Sequence, residues 1–374
     1  MRARRFALLA FVGVLVAALL SLPAVSTSYK HGVCTSVEQV YGSVETSLTA
    51  ADLSDLNIEV GDHVAVVLAK TGLDLEMPCI DIDDLFPSLP LGVPGLALIG
   101  NTVYITGWYT NVSREFEIDE NDAFILRLLR KGSYLSTIKQ RAVKTRTLRS
   151  DCSSDEEFAN FREVSCGHIM SGVLYRSSHP GNADVPDRSR FVKTLVKQVG
   201  IQTIINVGTS SEDPQQEYSD CPYCDACSSV GGLLARNIGL AVTWSRFKEE
   251  LREVLEFIID HAPPYLIHCK LGQDRTGITI AILESLAGAS YQEVVDDYAL
   301  SFENRYGITK IHLLRGEVEE QLLSKLRDMN GGVALSTGSP GTVNSLQEVV
   351  IDYLHDDVGL SHQQIEALRT SLTG

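Results

Sequence analysis

The sequence predicts an α/β fold, in which a domain with a mainly parallel central sheet flanked by helices follows a small β-rich domain. Across residues 155–374, apolar runs of strand length alternate with amphipathic helical patterns, and this alternation is typical of a parallel sheet covered by helices. Residues 28–150 instead contain short β-rich runs separated by turn-rich pieces, which indicates a separate domain. A chain of 374 residues is long enough to form two hydrophobic cores.

The first 26 residues have the pattern of an export signal. Three arginines among the first five residues precede an apolar run at residues 6–20, and small residues follow at 24–26, where a signal peptidase would cleave. Because Ser21 and Pro23 interrupt the apolar run, a cleaved signal peptide is favoured over an uncleaved signal anchor. We therefore expect an exported, secreted protein, with membrane attachment by the uncleaved segment as the alternative.

The β-rich domain is predicted from three runs, at residues 58–69, 102–108 and 124–129. Its sequence offers no recognisable nucleophile, metal-ligand set or phosphate-binding loop, so a structural or substrate-presenting role is favoured over a second catalytic activity. The charged, serine-rich segment at residues 145–157 is predicted to be the linker.

In the second domain, residues 203–207 and 265–267 are predicted to form buried strands. Amphipathic patterns predict helices at residues 187–200, 244–261, 276–286, 291–306, 316–329, 345–355 and 362–372. Sheets of this kind bind ligands at the carboxyl ends of their strands, so the functional residues are expected there.

Residues 266–277, with the sequence L-I-H-C-K-L-G-Q-D-R-T-G, are the most informative stretch of the chain. An apolar strand leads into a loop that contains a glycine, and the loop leads into a helix. Free backbone N–H groups and the positive end of the helix dipole converge at such a place. The stretch therefore predicts an anion-binding site.

The side chains of this stretch suit displacement at phosphorus by a thiolate. Cys269 is the candidate nucleophile, because the loop amides, the helix start and Arg275 favour the thiolate form. Arg275 also offers a planar fork for two phosphoryl oxygens. Asp274 is the candidate acid that protonates the leaving alcohol and then activates water. Gly272 is expected to leave room for the oxyanion, and Thr276 to place its hydroxyl near the sulfur.

The remaining loop residues are predicted to bind the phosphate, and no metal or cofactor is expected. His268 is expected to orient the loop rather than to ligate a metal. Arg176 binds phosphate in one interpretation and forms a salt bridge in another, and the sequence favours neither. The complete predicted phosphate-binding set is Lys270, Leu271, Gly272, Gln273, Thr276, Gly277 and Arg176.

The motif H-C-K-L-G-Q-D-R-T-G resembles the signature loop of cysteine-dependent protein tyrosine phosphatases. It is most similar to the bacterial branch of atypical tyrosine and lipid phosphatases, whose loop reads H-C-x-x-G-K-D-R-[TA]-G. Residues 160–164 and 172–177 resemble the entry motif of that branch, residues 296–301 its D-Y-x-x-S helix and residues 353–369 its closing helix pair. The resemblance spans about residues 155–374 and implies a metal-independent phosphatase with a phosphocysteine intermediate.

Two positions leave the substrate class open. Gln273 stands where the branch usually has lysine, so one phosphate-attracting cation is missing from the loop. Lys270 occupies a position that also carries lysine in some phosphoinositide phosphatases. Phosphotyrosine in protein is the first expected substrate, and a phosphoinositide or inositol polyphosphate is the alternative. An inactive phosphate-binding or surface-interaction protein is a third possibility, raised by Gln273.

The charge of the chain restricts its partners. The formal net charge is −16 and the pI is near 5.0. Such an acidic chain argues against nucleic acid or an anionic membrane surface as the main partner. The expected partners are therefore phosphorylated proteins, small molecules or lipids, bound where positive charge is concentrated locally.

Eight cysteines form a second pattern. The spacing of Cys221, Cys224 and Cys227 allows a zinc knuckle, but export favours disulfides. Cys152 and Cys166, which flank the entry motif, are possible partners, although connectivity cannot be deduced from sequence. A leftover thiol could also pair reversibly with Cys269.

Four other carboxylates are weaker candidates than Asp274 for the catalytic acid. Glu212 and Asp213 follow the strand at residues 203–207, and a solvated turn is favoured there over a catalytic acid. Asp220 and Asp225 have no feature that singles them out. Asp274 is therefore the leading acid.

Overall fold

A computed structural model describes residues 28–38, 42–81, 88–108, 110–143, 145–181, 186–209, 217–339 and 342–374. The predicted export signal and the carboxylates Glu212 and Asp213 lie outside the described residues. Within these ranges, no helix has the length and apolar character needed to cross a bilayer. The chain divides into two compact units, Met1–Ala142 and Val143–Gly374.

The first unit is a closed barrel of seven strands. Its strands are β1 (Tyr29–Val37), β2 (Val44–Thr49), β3 (His63–Leu68), β4 (Asp74–Asp81), β5 (Pro94–Ile99), β6 (Thr102–Gly107) and β7 (Ala123–Arg130). They are hydrogen-bonded in the order β1-β2-β6-β5-β4-β3-β7. The pairs are antiparallel except β4 and β5, which are parallel. The short helices are α1 (Ala50–Asp55), α2 (Val112–Glu115) and α3 (Leu135–Arg141).

The barrel interior is filled by alternate residues of its strands. In β7, Phe124, Leu126 and Leu128 are buried, and the residues between them are more exposed. Such alternation places one face of every strand in a common apolar core. The sequence predicted a β-rich unit here and located three of the seven strands. It did not predict closure into a barrel, because closure depends on pairings between strands that are distant in sequence.

The same turn occurs twice in the barrel, once in a first half made of β1, β2 and β3 and once in a second half made of β5, β6 and β7. In the first half, the backbone N–H of Glu59 donates to Asp62 Oδ2 at 2.7 Å, and in the second half the backbone N–H of Asp119 donates to Asp122 Oδ2, also at 2.7 Å. Both turns lie between a short helix and the next strand, α1 to β3 and α2 to β7. The same local structure is therefore built twice.

The two halves exchange charged partners. Lys131, which follows β7 of the second half, places Nζ 2.9 Å from Asp62 Oδ2 of the first half. Lys70, which follows β3 of the first half, places Nζ 2.5 Å from Asp122 Oδ2 of the second half. The carboxylates of each turn thus pair with a lysine from the other half.

The second unit is built around a five-stranded sheet. Its strands are β8 (Arg162–Glu163), β9 (Leu174–Ser177), β10 (Thr203–Asn206), β11 (Leu233–Ala235) and β12 (Tyr265–His268), in the order β11-β10-β12-β9-β8. Strands β11, β10, β12 and β9 are parallel neighbours, and β8 pairs antiparallel with β9. The carboxyl ends of β9, β10 and β12 therefore meet at one edge of the sheet.

Helices make up most of the remaining second unit. They are α4 (Asp155–Ala159), α5 (Pro186–Val199), α6 (Pro222–Ser229), α7 (Ser245–Asp260), α8 (Asp274–Leu286), α9 (Tyr291–Tyr306), α10 (Ile308–Met329), α11 (Leu346–Asp352) and α12 (His362–Thr373). On α7, the apolar residues recur at helical spacing and are buried, namely Phe247, Leu251, Val254, Leu255 and Ile258. The predicted α/β class is confirmed.

The segment predicted as a linker is part of the second unit. The backbone N–H of Arg146 donates to the carbonyl of Arg305 at 2.8 Å, and its guanidinium pairs with Glu157. A short 3₁₀ turn, Arg149–Asp151, leads into α4. The prediction was wrong because serine and charged residues are typical of linkers and also of helix caps, and Ser154 caps α4.

The cysteines are only partly as predicted. Cys221 and Cys224 form a disulfide at the start of α6, which confirms disulfide formation in this group and removes two of the three thiols from any zinc site. Cys152 and Cys166, which were named as possible disulfide partners, are both free. Cys227 and Cys269 are also free, so no bond joins Cys269 to another cysteine in this structure.

Candidate active site

The cysteine loop, residues 269–273, connects the end of β12 to the start of α8. Strand β12 lies between β10 and β9, so the loop emerges at the centre of the sheet edge where the parallel strands end. Strand β12 is buried on both faces because helices cover the sheet. A strand, a loop and a helix follow one another here as the sequence predicted.

Cys269 is 4% exposed, and the loop after β10 packs directly against it. A Cβ atom placed on Gly208 would lie 3.0 Å from Cys269 Cα and 3.1 Å from Asn206 Oδ1. Only a glycine allows the backbone to approach so closely. Position 208 therefore shapes one wall beside the thiol.

Asn160 and Arg176 hold the loop from behind. Asn160 Nδ2 donates to the carbonyls of Leu271 at 3.2 Å and Gly272 at 3.0 Å, and Arg176 Nη2 donates to the Gly272 carbonyl at 2.9 Å. Ser178 Oγ adds a bond to the Leu271 carbonyl at 3.3 Å. These three side chains draw the loop carbonyls to one side.

The first two carbonyls of the loop are held in the same way. The backbone N–H of His179 donates to the Lys270 carbonyl at 3.2 Å, and His268 Nδ1 lies 3.4 Å from the Cys269 carbonyl. His268 Nε2 lies 2.8 Å from the Tyr218 hydroxyl. Burial, and then the neighbouring His179, keep the pKa of His268 well below its usual value. The neutral ring thus accepts from Tyr218 and donates to the loop, which is the orienting role expected for His268.

The bound carbonyls define where the loop amides point. In a trans peptide the carbonyl and the following N–H point in opposite directions. Within the part of the chain that the structure describes, Leu271, Gly272 and Gln273 donate their N–H groups to no acceptor. These amides face away from the bracing side chains and form a concave donor surface suited to an anion. Lys270 is exposed beside it.

Gly272 is required for a reason other than the predicted one. Its φ is +65°, and a Cβ atom there would lie 2.1 Å from the Ser177 carbonyl oxygen. The glycine therefore allows the loop to pack against β9, whereas the sequence interpretation had it leave room for an oxyanion. The physical reason for a glycine here is the contact behind the loop.

Two predicted phosphate ligands have structural roles instead. Arg176 is fully buried, and its guanidinium lies between Asp297 and the Gly272 carbonyl, so it braces the loop from inside the protein. Gly277 donates its N–H to the Gln273 carbonyl at 2.7 Å, and a Cβ atom there would lie 2.6 Å from the Tyr298 ring. Neither is placed to bind phosphate, because both are committed to packing within the unit.

Asp297 joins two arginines beneath the loop. Arg162 Nε lies 2.7 Å from Asp297 Oδ1, and Arg176 pairs with the other carboxylate oxygen. Burial alone would raise the pKa of Asp297, but the charges of Arg162 and Arg176 lower it below its usual value. The carboxylate is therefore ionised and fixes both arginines. The entry motif and the D-Y-x-x-S helix had indicated these residues by resemblance, and of the two roles considered for Arg176 the salt bridge is the one seen here.

Arg275 reaches across the sheet edge to the neighbouring strands. Its Nη1 donates to the Gly208 carbonyl at 2.7 Å and to Asn237 Oδ1 at 2.9 Å. No carboxylate among the described residues pairs with it. The guanidinium is thus anchored by one nitrogen and keeps its charge beside the loop. Asn237 was missed by the sequence analysis, and no motif signalled it.

The helix start supplies two further groups. Asp274 is the first residue of α8 and is half-buried. Thr276 is fully buried, and its Oγ1 has no hydrogen-bond partner within the described ranges. A buried hydroxyl without a partner is costly, so Thr276 Oγ1 is a donor available at the start of the helix.

The remaining carboxylates are placed as follows. Asp220 is on the surface, where Lys193 Nζ lies 2.5 Å from Oδ2, and Asp225 is exposed on α6. Glu217, which the sequence analysis did not weigh, accepts from Asn206 Nδ2 at 3.1 Å at the end of β10. No local motif marks Glu217, because only the fold brings it to this edge of the sheet.

Comparison with solved structures gives low overall similarity. The core catalytic domain of the PP-IP phosphatase SIW14 from S. cerevisiae, in complex with citrate, is 21% identical, with 46% of this chain and 93% of that chain covered and a TM-score of 0.27. A second structure of the Siw14 catalytic core is 20% identical, with 46% and 92% covered and a TM-score of 0.27. An uncharacterized conserved protein from Thermotoga maritima is 16% identical, with 29% of this chain covered and a TM-score of 0.23, and this chain spans 39% of its length.

Comparison with sequences identifies the family. Among curated protein sequences none matches this chain. The family model described as the tyrosine phosphatase family matches residues 156–374, which is more than half of the chain and includes the whole cysteine loop. The resemblance seen in the loop motif is therefore confirmed at the level of the family. This chain belongs to the tyrosine phosphatase family and is a phosphoric monoester hydrolase.

Proposed function

We propose that the protein hydrolyses phosphate monoesters through a phosphocysteine formed on Cys269. The observation that carries this proposal is the cysteine loop, whose carbonyls from residue 269 to 272 are bound on one side so that its amides face the other. Such a surface at a helix start holds a phosphoryl group by its oxygens and stabilises the charge that develops on them.

In the first step, the Cys269 thiolate attacks phosphorus and the bond from phosphorus to the leaving oxygen breaks. Asp274 gives a proton to that oxygen, so the alcohol leaves neutral. Arg275 keeps two nitrogens, Nε and Nη2, without hydrogen-bond partners among the described residues, and they can bind two phosphoryl oxygens. The product of this step is the phosphocysteine.

In the second step, water attacks the phosphocysteine and the bond from sulfur to phosphorus breaks. Asp274, now ionised, takes the proton from water, and inorganic phosphate leaves. The sulfur departs as a thiolate, which the Thr276 hydroxyl stabilises by donating a hydrogen bond. The enzyme returns to its starting state with no change in oxidation.

Hydrolysis of an aryl phosphate tests this proposal, with a chelator present and reductant varied. Cys269→Ser is expected to lower kcat by at least about a thousandfold, because the hydroxyl is not ionised at neutral pH. Asp274→Asn is expected to lower kcat by about a hundredfold, with a smaller loss for substrates whose leaving group needs no proton. Wild-type protein that is inactive under reducing conditions would favour the alternative of an inactive phosphate-binding protein.

The substrate class is part of the proposal. Phosphotyrosine in protein is the first expectation from the sequence. The alternative is a phosphoinositide or inositol polyphosphate, and the contact between Gln273 and the Arg305 guanidinium favours it. Turnover of a phosphotyrosyl peptide and of a soluble inositol polyphosphate, measured side by side, separates the two.

We also propose that the protein is exported and that its barrel has a structural or substrate-presenting role. The sequence of residues 1–26 supports export, and the Cys221–Cys224 disulfide is compatible with an oxidising compartment. Fractionation of the source cells with N-terminal sequencing of the mature chain tests this. Recovery of the intact N-terminus in the cytoplasm would contradict it.

A further inference from the structure

Arg305 is an arginine without a carboxylate partner beside the cysteine loop. It lies near the end of α9, and its Nη1 is 3.5 Å from Gln273 Oε1. Its Nε is buried and has no hydrogen-bond partner, and no carboxylate among the described residues pairs with the guanidinium. No carboxylate among the described residues therefore neutralises the positive charge of Arg305 beside the cysteine loop.

Several other arginines of the second unit pair with carboxylates. Arg162 and Arg176 share Asp297, and Arg146 pairs with Glu157. Arg315 contacts three carboxylates, on Asp296, Glu303 and Glu319. Arg305 and Arg275 both lack a carboxylate partner among the described residues. The two guanidinium groups lie beside the cysteine loop, where they concentrate positive charge.

Gln273 is chemically matched to Arg305. It is 4% exposed, and its side-chain oxygen faces the guanidinium. A lysine at position 273 would place two cations against each other, whereas an amide oxygen can accept from the arginine. The loop therefore has no lysine at position 273, and Arg305 of α9 supplies the positive charge beside it instead.

Further positive charge lies around Arg305. Arg188 donates to the Arg146 carbonyl, and the Arg146 backbone N–H donates to the Arg305 carbonyl, so the three arginines are neighbours. Burial lowers the pKa of Arg188, Cys152 opposes this shift, and the charges of Arg305 and Arg146 add to it. Arg188 is held by the Phe158 and Arg146 carbonyls, so its charge contributes while its nitrogens are occupied. In Arg305, Nη2 has no hydrogen-bond partner among the described residues and can bind a ligand.

We propose that Arg305 and Gln273 form a subsite for a second phosphoryl group of the substrate. The proposal rests on the proposed function, since it assigns the first phosphoryl group to the cysteine loop. Gln273 belongs to the loop itself, so the two phosphoryl groups must be close together on a small molecule. The ligand class is a compound with phosphates on neighbouring carbons of one ring, either a soluble inositol polyphosphate or the head group of a phosphoinositide.

Binding to the Cys269→Ser protein tests the subsite without turnover. The probes are inositol hexakisphosphate and inorganic phosphate, measured by calorimetry at low salt. Arg305→Gln is expected to weaken hexakisphosphate binding by about tenfold or more, because one charge-assisted pair is lost. Inorganic phosphate fills the loop alone, so its affinity should change by less than about threefold. Equal weakening of both probes, or of neither, would overturn the proposal.

Two rescue variants guard against a loss caused by unfolding. Arg305→Lys keeps the charge and is expected to retain most of the hexakisphosphate affinity. The double variant Gln273→Lys with Arg305→Gln moves the cation onto the loop and is expected to recover a large part of it. Arg246→Gln removes an exposed arginine of α7 and is expected to leave both affinities unchanged. Failure of both rescues would contradict the charge-based explanation.

Vesicles separate the two sources of the ligand. Phosphatidylcholine vesicles with and without a phosphatidylinositol bisphosphate report lipid binding, and the soluble head group competes if the lipid is bound through it. Arg305-dependent binding of either form supports the subsite. If Arg305→Gln instead affects only an acidic phosphotyrosyl peptide, the small-molecule class is wrong. Aryl phosphate turnover is measured separately, so a failure of catalysis and a failure of this subsite are distinguishable.

Discussion

The barrel and the catalytic unit bury different kinds of side chain. Within the described part of the barrel, the core is apolar and Asp62 is its buried charged residue. The catalytic unit buries several charged side chains, among them Arg176, Arg188 and Glu284. Burying charge is costly unless it is paired. The pairs that Arg162 and Arg176 form with Asp297 lie behind the cysteine loop, so this buried charge holds the loop in a defined shape.

The largest effect expected from this difference is at Asp297. Replacing it with asparagine leaves Arg162 and Arg176 as buried charges without a counterion, which is expected to cost about 3–5 kcal/mol of unfolding free energy. Urea unfolding can be followed by Trp244 fluorescence in a Trp108→Phe background, which isolates the catalytic unit. The matched control is Asp296→Asn, where an exposed carboxylate is lost and the effect should be much smaller.

Gly272→Ala should come next. The added Cβ would meet the Ser177 carbonyl, and φ is +65°, so we expect a loss of about 2–4 kcal/mol together with most of the phosphatase activity. Urea unfolding and aryl phosphate turnover measure the two losses. In contrast, Gly316→Ala on α10 meets no heavy atom within 4 Å and should raise stability by about 0.5–1 kcal/mol. An active Gly272→Ala protein would mean that the loop does not need its packing against β9.

Glu284→Gln should stabilise the catalytic unit at neutral pH. Burial, and then the charge of Asp297, raise the pKa of Glu284 well above its usual value. A carboxyl whose pKa is raised by folding contributes its stability below the unfolded pKa of about 4.3 and loses it as the pH rises. Glutamine does not ionise, so the variant has no such loss. The free energy of unfolding of the variant, relative to that of wild type, should therefore be about 1–3 kcal/mol higher at pH 8 than at pH 4. Urea unfolding at the two pH values gives the difference, and a difference that does not change with pH would contradict this account.

The smallest effects are expected in the barrel. Lys131→Gln removes the cation that faces the buried Asp62, which still accepts from the backbone of Glu59 and Gly132, so the expected loss is about 1 kcal/mol. Lys70→Gln faces the more exposed Asp122 and should cost less. Urea unfolding followed by Trp108 in a Trp244→Phe background reports the barrel. If either lysine variant lost as much unfolding free energy as Asp297→Asn, the barrel would depend on its ion pairs as strongly as the catalytic unit does, and this account would be wrong.

The sequence located the residues that are contiguous in the chain. The strand, loop and helix around Cys269 were predicted because their signal is local, with a fixed spacing from Cys269 to Arg275. The groups that hold the loop come from distant parts of the chain. Asn160 was visible as part of a motif, but its bonds to the carbonyls of residues 271 and 272 depend on how β8 and α9 meet the sheet.

Arg176 shows why residue type is a weaker guide than position. An arginine near a phosphate loop suits phosphate and carboxylate equally well, and burial decides between them. Burial depends on the packing of Asp297 against β9, which no local pattern reports. The barrel was incompletely predicted for a related reason, since its short strands carry weak periodicity and its closure is set by long-range pairing.

The exchange of lysines between the halves of the barrel has a consequence for its assembly. One half alone would leave its aspartate without a cation and would lose the pairings of β1, β2 and β3 with β6 and β7. A second copy of the same half would supply both, because the contacts are reciprocal. Each half therefore depends on the other for both charge pairing and strand pairing. A synthetic chain with two identical halves should therefore still close into a barrel.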